Sequence, residues 1–507
     1  MQRDGTTESL WQHDTASYTS APRNIPHDAV DVLIVGGGMT GLTTGLLLQR
    51  AGKSCIIVES YEIGFGTTGG TTAHLNTMLD TPYPQIEKDF GEDNAQLVAR
   101  GAREALDMIK KNVEELSIDC GYSEQPGFIF SQNEDQTKEL GNILESSRKA
   151  GLDMDYSSVI PVPIPFEKAL VVQGQAQFHP LKYLLALAKA YEEAGGMLLQ
   201  RCHFLDYKGG STIEATTSRG TIKAKNMLFA THMPPGINLL SFRCAPYRSY
   251  AIAVTLADGK YPEGLIYDLY NPYHYYRTQE TGGEKFLIAG GEDHKTGHEE
   301  NTESPFLRLE AYVRQVFNVD KTAFKWSSQY FEPADGLAYI GTMPGGDDNL
   351  FVATGFGGNG MTYSTLSAII ISSMIGGEKS PYEKLFHPGR LKPLAGFTNF
   401  IKENADVVKE FVTGRFSVSS IKEVSELARG EGQIVKYEGK KIGLYKDDQG
   451  LLHAVNPVCT HAKCIVAWNG AERSWDCPCH GGRFSPEGKV LTGPAARDLE
   501  KIELEDL

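Results

Sequence analysis

The chain has 507 residues, a formal net charge of -15, 41% hydrophobic and 22% charged residues. A chain of this length is too long to fold around a single hydrophobic core, so two or more domains are expected. The negative net charge disfavours nucleic acid and anionic lipid surfaces as partners. No run of about 18 apolar residues occurs, which predicts no transmembrane segment. Residues 1–28 form a polar, turn-rich extension without the pattern of a signal peptide, so a cytoplasmic location is expected.

The first motif is an apolar strand that enters a glycine-rich turn. The run Val30–Val35 is typical of a strand in a parallel sheet, and Gly36, Gly38 and Gly41 follow it with G-x-G-x-x-G spacing. A helical leucine repeat comes next, and a second strand ends at Glu59. In this order the glycines admit a pyrophosphate, the helix start attracts its charge, and the acid binds a ribose hydroxyl. The motif predicts a dinucleotide site and leaves FAD and NAD as alternatives.

A second transition from strand to helix lies at 350–365. The run L-F-V-A-T enters G-F-G-G-N-G, and a helix is expected to start near Met361. A helix start directs N–H groups and the positive end of a dipole at an anion. A reduced flavin ring, negative at its pyrimidine end, is a suitable target, which favours FAD.

Five segments together resemble the D-amino-acid oxidase and glycine oxidase superfamily of FAD enzymes. They are G-G-G-M-T-G at 36–41, I-G-F-G-T-T-G-G at 63–70, L-F-A-T-H at 228–232, D-G-L-A-Y-I-G at 335–341 and A-T-G-F-G-G-N-G at 353–360. The resemblance implies an α/β, Rossmann-like FAD domain at 29–398, with an antiparallel-sheet substrate part from about 100–170 and 240–325. The residues that it places at FAD are Gly36, Gly38, Met39, Thr40, Gly41, Glu59, Thr67, Thr68, Ala230, Gly355, Gly357, Gly358, Asn359, Gly360 and Met361.

Some members of that superfamily attach FAD covalently to a histidine after the acidic residue. His74 lies in this segment, but Gly70 falls at the matching position. We therefore expect non-covalent FAD, with His74 as a pocket or core residue.

The substrate side lacks a feature that amino-acid-oxidising members often carry. They have an arginine just before D-G-x-x-Y-I-G that holds the substrate carboxylate, whereas the stretch Q-Y-F-E-P-A-D at 329–335 has none. This disfavours a simple α-amino acid and leaves amines, N-substituted amino acids and hydroxy compounds.

Candidate catalytic residues follow from chemical type and predicted strand position, with aromatic strand packing as the alternative for each. The run Y-H-Y-Y-R at 273–277 alternates polar and aromatic residues. The candidates for the flavin face are Tyr250, His274, Tyr276, Arg277 and His294, with Arg248 beside them. His294 and His298 are four residues apart, but Gly297 between them predicts a loop, so no metal is expected there.

Near the C-terminal end, cysteines and histidines fall in two short boxes. Cys459 and His461 form a Cys-x-His pair, and Cys477 and His480 form a Cys-x-x-His pair. Two thiolates and two imidazoles can hold one zinc ion. They can equally hold a [2Fe–2S] cluster with the cysteines on one iron and the histidines on the other.

The boxes C-T-H-A-K-C and C-P-C-H-G-G and the downstream G-P-A resemble Rieske proteins, which favours the cluster over zinc. The resemblance implies Cys459, His461, Cys477 and His480 as ligands, a Cys464–Cys479 disulfide, and a small all-β domain at 419–507. Residues 399–418 are predicted to link the two domains, with an amphipathic helix at 399–413.

The second box departs from the Rieske proteins of quinol-oxidising complexes at two positions. Those proteins carry a serine and a tyrosine where this chain has Gly482 and Phe484. Their hydroxyls hydrogen-bond the cluster sulfurs and raise the reduction potential, so their absence predicts a lower potential.

The two cofactors together predict a dehydrogenase that passes electrons from a small-molecule substrate to FAD, then to the cluster and a soluble one-electron carrier. Electron flow in the opposite direction is equally compatible with the sequence. The alternatives are a non-catalytic redox sensor and an oxidase whose Rieske domain is a structural or docking module.

Overall fold

The computed structural model describes residues 3–390, 427–437 and 439–504. The helices are α1 (Leu10–His13), α2 (Met39–Arg50), α3 (Thr67–Gly70), α4 (Tyr83–Phe90), α5 (Glu92–Glu115), α6 (Glu134–Ala150), α7 (Pro180–Glu193), α8 (Ser304–Val316), α9 (Gly360–Gly376) and α10 (Glu383–Phe386). None of these helices combines the length and the apolar character needed to cross a bilayer. The predicted linker at 399–418 lies outside the described residues.

The strands in chain order are β1 (Val30–Val35), β2 (Cys55–Val58), β3 (His74–Leu75), β4 (Ser123–Ser131), β5 (Met154–Ser157), β6 (Lys168–Gln177), β7 (Met197–Leu199), β8 (Phe204–Lys208), β9 (Ile213–Thr217), β10 (Gly220–Phe229), β11 (Cys244–Leu256), β12 (Leu265–Tyr267), β13 (Tyr275–Thr281), β14 (Glu284–Lys295), β15 (Val319–Pro333), β16 (Tyr339–Thr342), β17 (Leu350–Thr354), β18 (Gly432–Tyr437), β19 (Lys440–Lys446), β20 (Leu452–Val455), β21 (Ala467–Asn469), β22 (Ser474–Asp476), β23 (Arg483–Phe484) and β24 (Val490–Thr492).

The first sheet has the order β16-β17-β10-β1-β2-β7, with β9 and β8 added beside β10. From β17 to β7 the neighbours are parallel. β1, β2 and β17 are apolar and almost wholly buried, as expected of a parallel sheet covered by helices, and α2, α7 and α9 contact its strands. The predicted Rossmann-like α/β fold is confirmed.

The carboxyl ends of three parallel strands bring the predicted glycine motifs together. Val35 pairs with Phe229, and Phe229 pairs with Val352 on β17. The turns that follow β1, β10 and β17 therefore meet at one edge of the sheet. Ligands of open α/β sheets bind outside this edge.

The second sheet is nine-stranded, in the order β15-β11-β14-β13-β12-β4-β6-β3, with β5 beside β6. Its pairs are antiparallel, except that β12 and β4 are parallel. β6 and β15 run beyond the limits of 170 and 325 that the sequence predicts for the substrate part. The sheet contributes β3 and the long strands β11, β14 and β15 to the wall of the cavity described below.

The C-terminal part is all-β, as the sequence predicts. One small antiparallel sheet has the order β18-β19-β20, and the other has the order β21-β22-β23-β24. Trp475 and Phe484 are fully buried and pack in one apolar cluster with the cysteines of the two boxes. The core of this domain therefore surrounds the boxes themselves.

The N-terminal residues, predicted as a polar extension, are instead packed into the molecule over part of their length. Ser9 and Gln12 form a capping box that starts α1. Leu10 and Trp11 are buried in the main core. A short apolar pair inside a polar stretch carries no periodicity, so sequence patterning does not reveal this contact.

Candidate functional site

Backbone geometry at the first glycine motif leaves room for a ligand but for no side chain. Gly36 has φ +110, and a Cβ there would lie 2.4 Å from the Ala230 carbonyl oxygen. A Cβ at Gly41 would lie 1.9 Å from the Gly36 carbonyl oxygen. α2 begins after Gly38, which has no side chain to cap the helix. The Met39 amide donates to Thr68 Oγ1 at 3.3 Å, and the N–H groups that follow it in the first turn can face an anion.

Glu59 follows β2 at the same edge. Its carboxylate accepts hydrogen bonds from the Gly37 and Tyr61 amides, each at 2.9 Å. Burial raises the pKa of Glu59, and these backbone hydrogen bonds oppose the rise. The acid is therefore held in place beside the glycine turn, as a ribose-binding residue must be.

Asp80 and Asn359 position the second glycine loop. The Asp80 amide donates to Asn359 Oδ1 at 2.8 Å, and the Gly358 amide donates to Asp80 Oδ2 at 2.6 Å. No side chain caps the start of α9. This helix start, like that of α2, can direct N–H groups at an anion.

One cavity connects these elements and extends to the second sheet. All the predicted FAD residues except Gly41 and Gly355 line it. Gly41 packs against the Gly36 turn, and Gly355 packs against Cys244 Sγ. These two glycines therefore allow close packing of the backbone and do not line the cavity. A cavity with two helix starts that lack a side-chain cap and a glycine cradle fits FAD.

Beyond the glycine loops, the cavity wall is aromatic and acidic. Tyrosines from the second sheet and the loops beside it line this part, together with His74, Asp80 and Asp293. The tyrosines are Tyr250, Tyr267, Tyr273, Tyr275 and Tyr330. Among the described lining residues there is no lysine or arginine, so the candidates Arg248 and Arg277 do not reach this wall.

Among the catalytic candidates Tyr250 alone is a lining residue of the cavity, and its ring packs against Phe306 in the apolar cluster that also holds Tyr276. His294 Nε2 hydrogen-bonds Tyr250 OH at 2.8 Å from behind the wall. His274 pairs with Asp268 at 2.8 Å and stacks on Tyr312.

Tyr276 and Arg277 are also buried elsewhere. Tyr276 belongs to an apolar cluster on the opposite face of the second sheet from Tyr275. Arg277 donates to the Ala73 carbonyl at 2.7 Å and lies over the Trp11 ring. Tyr275, one position away in the same Y-H-Y-Y-R run, lines the cavity instead. Side chains alternate between the two faces of a strand, so either the odd-numbered or the even-numbered residues of the strand face the site.

The two boxes near the C-terminal end come together in space. Cys459 and Cys477 are buried free cysteines, and a hydrogen bond between their thiols is the main cause that lowers the pKa of Cys459. The His461 and His480 rings lie 4.9 Å apart, and both Nδ1 atoms are buried without a hydrogen-bond partner among the described residues.

These four side chains fit the ligand set of a [2Fe–2S] cluster. Burial lowers the pKa of His480 to about 4, so its imidazole is neutral at pH 7, the form that binds metal. The structure joins Cys464 and Cys479 by a disulfide. Their sulfurs lie within 4.8 Å of the Cys477 sulfur, but as disulfide partners they are not available as ligands.

The C-terminal domain packs directly on the cavity wall. Leu491, Thr492 and Gly493 line the cavity itself. Gln329, another lining residue, donates from Nε2 to the Gly481 carbonyl at 2.8 Å. His461 Nε2 lies 3.2 Å from the Gly236 carbonyl oxygen. The two predicted cofactor sites are therefore separated by directly contacting residues.

A group of buried charges, the interdomain ion network, fixes this contact. Arg3 Nη1 lies 3.0 Å from Glu472 Oε2, and Arg248 lies 3.9 Å from Glu472 Oε1. Ser327 donates to Glu472 at 2.5 Å. The members of the network are Arg3, Asp4, Arg248, Glu472, Asp476 and Arg483. Arg248, a sequence candidate for the flavin face, therefore belongs to the domain interface.

Comparison with known proteins supports the predicted identity of both domains of the chain. The model of the FAD dependent oxidoreductase family, DAO, matches residues 31–374, and that of the Rieske [2Fe-2S] domain matches residues 417–503. A putative Rieske 2Fe-2S iron-sulfur protein, YhfW, from Bacillus subtilis (strain 168) is 34% identical over 501 residues, which cover 98% of each chain.

Two further similarities each cover nearly three quarters of the chain. Gamma-glutamylputrescine oxidoreductase from Escherichia coli (strain K12) is 24% identical over 394 residues, or 73% of this chain and 91% of that protein. The crystal structure of glycine oxidase from Geobacillus kaustophilus superposes with a TM-score of 0.60 at 19% identity, over 72% of this chain and 99% of that one. This last likeness confirms the fold. The chain belongs to the FAD dependent oxidoreductase family and carries a Rieske [2Fe-2S] domain on its C-terminal side.

Proposed function

We propose that the enzyme is a dehydrogenase that oxidises an amine, an N-substituted amino acid or a hydroxy compound and releases electrons through its own Rieske cluster to a soluble one-electron carrier. Bound FAD accepts an electron pair and can release the electrons singly, and a Rieske cluster carries one electron at a time. The predicted cluster ligands Cys459, His461, Cys477 and His480 and the predicted FAD residues of the cavity wall are the sites of this relay.

The observation that carries the proposal is the bridge formed by Gln329. Its side chain lines the cavity, and its amide group donates to the Gly481 carbonyl, next to the proposed ligand His480. Gln329 is almost completely buried. Electron transfer slows steeply with distance, so direct contact between the two sites favours a relay within one chain over a Rieske domain that serves only for docking.

The substrate classes rest on the wall of the cavity and on one relative. The described wall offers no arginine or lysine for a carboxylate. The related enzyme from Escherichia coli is named as an oxidoreductase of gamma-glutamylputrescine, a compound that carries an amino group. Both observations support an amine or an N-substituted substrate.

The relay is tested by anaerobic reduction of the holoenzyme with amines, N-methylated amino acids and hydroxy acids, followed by absorption and electron paramagnetic resonance. We expect one of these compounds to bleach the flavin and then to produce a rhombic Rieske signal. A bleached flavin beside a cluster that stays oxidised would overturn the relay and favour an oxidase or a sensor.

The variant Gln329→Leu tests the bridge itself. We expect slower cluster reduction after an unchanged rate of flavin bleaching, because the hydrogen bond to Gly481 is lost while the cavity keeps its shape. Gln449→Leu, at an exposed turn position of the Rieske domain, is the matched control and should leave both rates unchanged. Equal cluster reduction in both variants would show that Gln329 is not on the route.

A further inference from the structure

The part of the cavity beyond the glycine loops has the features of a site for an organic cation. Tyr267, Tyr273, Tyr275 and Tyr330 line it together with His74. The ring of Tyr275 lies 5.3 Å from that of His74 and 5.8 Å from that of Tyr273, so these rings form a connected wall. The faces of aromatic rings carry negative potential and attract alkylammonium groups.

Asp293, near the end of β14, supplies a negative charge to the same wall. Tyr330 OH donates to its Oδ2 atom at 2.9 Å. Its Oδ1 atom is enclosed and accepts no hydrogen bond from the described residues. Asp80, the other acid of the wall, is already engaged, because Oδ2 accepts from the Gly358 amide and Oδ1 lies 3.5 Å from Tyr273 OH.

The wall offers Asp293 no positive partner among the described residues. Burial, and after it the charge of Arg277, lowers the pKa of His74 to about 3, so this imidazole is neutral. Arg277 itself donates to backbone carbonyls, and Arg248 pairs with the Rieske domain. Burial raises the pKa of Asp293 to about 6 against the effect of the nearby Ser249 and Tyr330 hydroxyls. A buried carboxylate of this kind requires a proton or a counter-ion.

A substrate carboxylate would meet the opposite situation. It would find no cationic side chain on the described wall and would face two acids, an arrangement that is repulsive at short range. An ammonium group would meet the carboxylate of Asp293 and several ring faces. The charges of the wall therefore discriminate between an amine and an amino acid.

Building on the proposed function, we infer that the substrate is an organic ammonium ion without a carboxylate near its reacting carbon, with Asp293 as its counter-ion and Tyr273, Tyr275 and Tyr330 around it. This narrows the proposed substrates to amines. It also assigns to Asp293 a specificity role that the sequence motifs do not indicate.

Binding of unreactive probes to the holoenzyme tests the inference without turnover. The probes are tetramethylammonium and N,N,N-trimethylglycine, which has the same cationic head and an added carboxylate. By calorimetry we expect tetramethylammonium to bind about tenfold more tightly or better than trimethylglycine. Equal affinity for the two probes would overturn the inference.

The variant Asp293→Asn keeps the size of the side chain and removes its charge. We expect it to weaken tetramethylammonium binding by about tenfold or more, since a buried ion pair loses one partner. Asp348→Asn removes the same charge from an exposed turn and should leave the Kd unchanged. An Asp293→Asn variant that binds the cation within about twofold of the wild type, at equal flavin content, would also overturn the inference.

The pH dependence of the wild type gives a second measurement that does not depend on a variant. Tetramethylammonium does not titrate, and its affinity should rise as the pH passes about 6 and Asp293 loses its proton. The titratable groups facing Asp293 are Asp80, Tyr273, His274, Tyr275 and Tyr330. An affinity that does not change with pH would contradict the inference. If the probes behave as expected but no amine reduces the cluster, the electron relay fails and the cation site stands.

Discussion

Loss of one charge in the interdomain ion network should separate the two redox sites functionally. Glu472 is completely buried and lies within ion-pair distance of Arg3 and Arg248. Burial alone would raise the pKa of Glu472, but the guanidinium groups of Arg3, Arg248 and Arg483 lower it below its ordinary value. The glutamate is therefore ionised at pH 7, and Glu472→Gln leaves the arginines short of one counter-charge.

The size of the effect follows from the burial of the network. Removal of one partner from a buried ion pair costs about 3–5 kcal/mol. If this loss falls on the contact between the domains, the ratio of docked to undocked molecules decreases by about two to three and a half powers of ten. The Ser327 hydroxyl donates to Oε1 of Glu472, and the Thr6 amide donates to Oε2. A glutamine has one carbonyl oxygen and can keep only one of these two hydrogen bonds, so the expected loss lies within this range.

Hydrogen–deuterium exchange and stopped-flow reduction together measure this loss. In Glu472→Gln we expect faster amide exchange in residues 3–13 and 472–484, and slower cluster reduction after an unchanged rate of flavin reduction. Glu500→Gln makes the same chemical change at an exposed position of the same domain and should behave as the wild type. Unchanged exchange and unchanged cluster reduction in Glu472→Gln would refute the argument that the network holds the domains together.

Three further outcomes are expected. Gly41→Ala should lose FAD, measured as the flavin-to-protein ratio, because its Cβ would lie 1.9 Å from the Gly36 carbonyl oxygen; Gly141→Ala, with open space around it, is the control. Gly482→Ser should raise the cluster potential in a redox titration, because its Cβ has room 3.7 Å from Cys459 Sγ and the hydroxyl can reach a cluster sulfur. The arginines outweigh burial and lower the pKa of Glu472 in the folded state. The ionised Glu472 should therefore add its full contribution to the free energy of unfolding above about pH 4.5, and this contribution should be lost as the pH falls further. Thermal melting should show a smaller acid-side loss for Glu472→Gln.

Local motifs allowed the sequence to predict the cofactors. The spacing of Gly36, Gly38 and Gly41 after an apolar strand, and that of Cys459, His461, Cys477 and His480, connect neighbouring residues whose geometry depends little on the rest of the chain. The expected FAD and Rieske [2Fe-2S] domains are confirmed by the family comparisons. The same segments line the cavity and enclose the four proposed cluster ligands in the structure.

The substrate wall and the domain interface depended on the tertiary structure. The Y-H-Y-Y-R run shows a strand but not its register, and a shift of one residue exchanges Tyr276 for Tyr275 at the wall. Arg3 and Glu472 are 469 positions apart, and no local pattern links them. The sequence by itself thus determined which cofactors the chain is built to hold, because local spacing sets those sites. Only the folded chain decided which side chains face the substrate and how the domains meet, because strand register and long-range ion pairs depend on all the neighbouring elements at once.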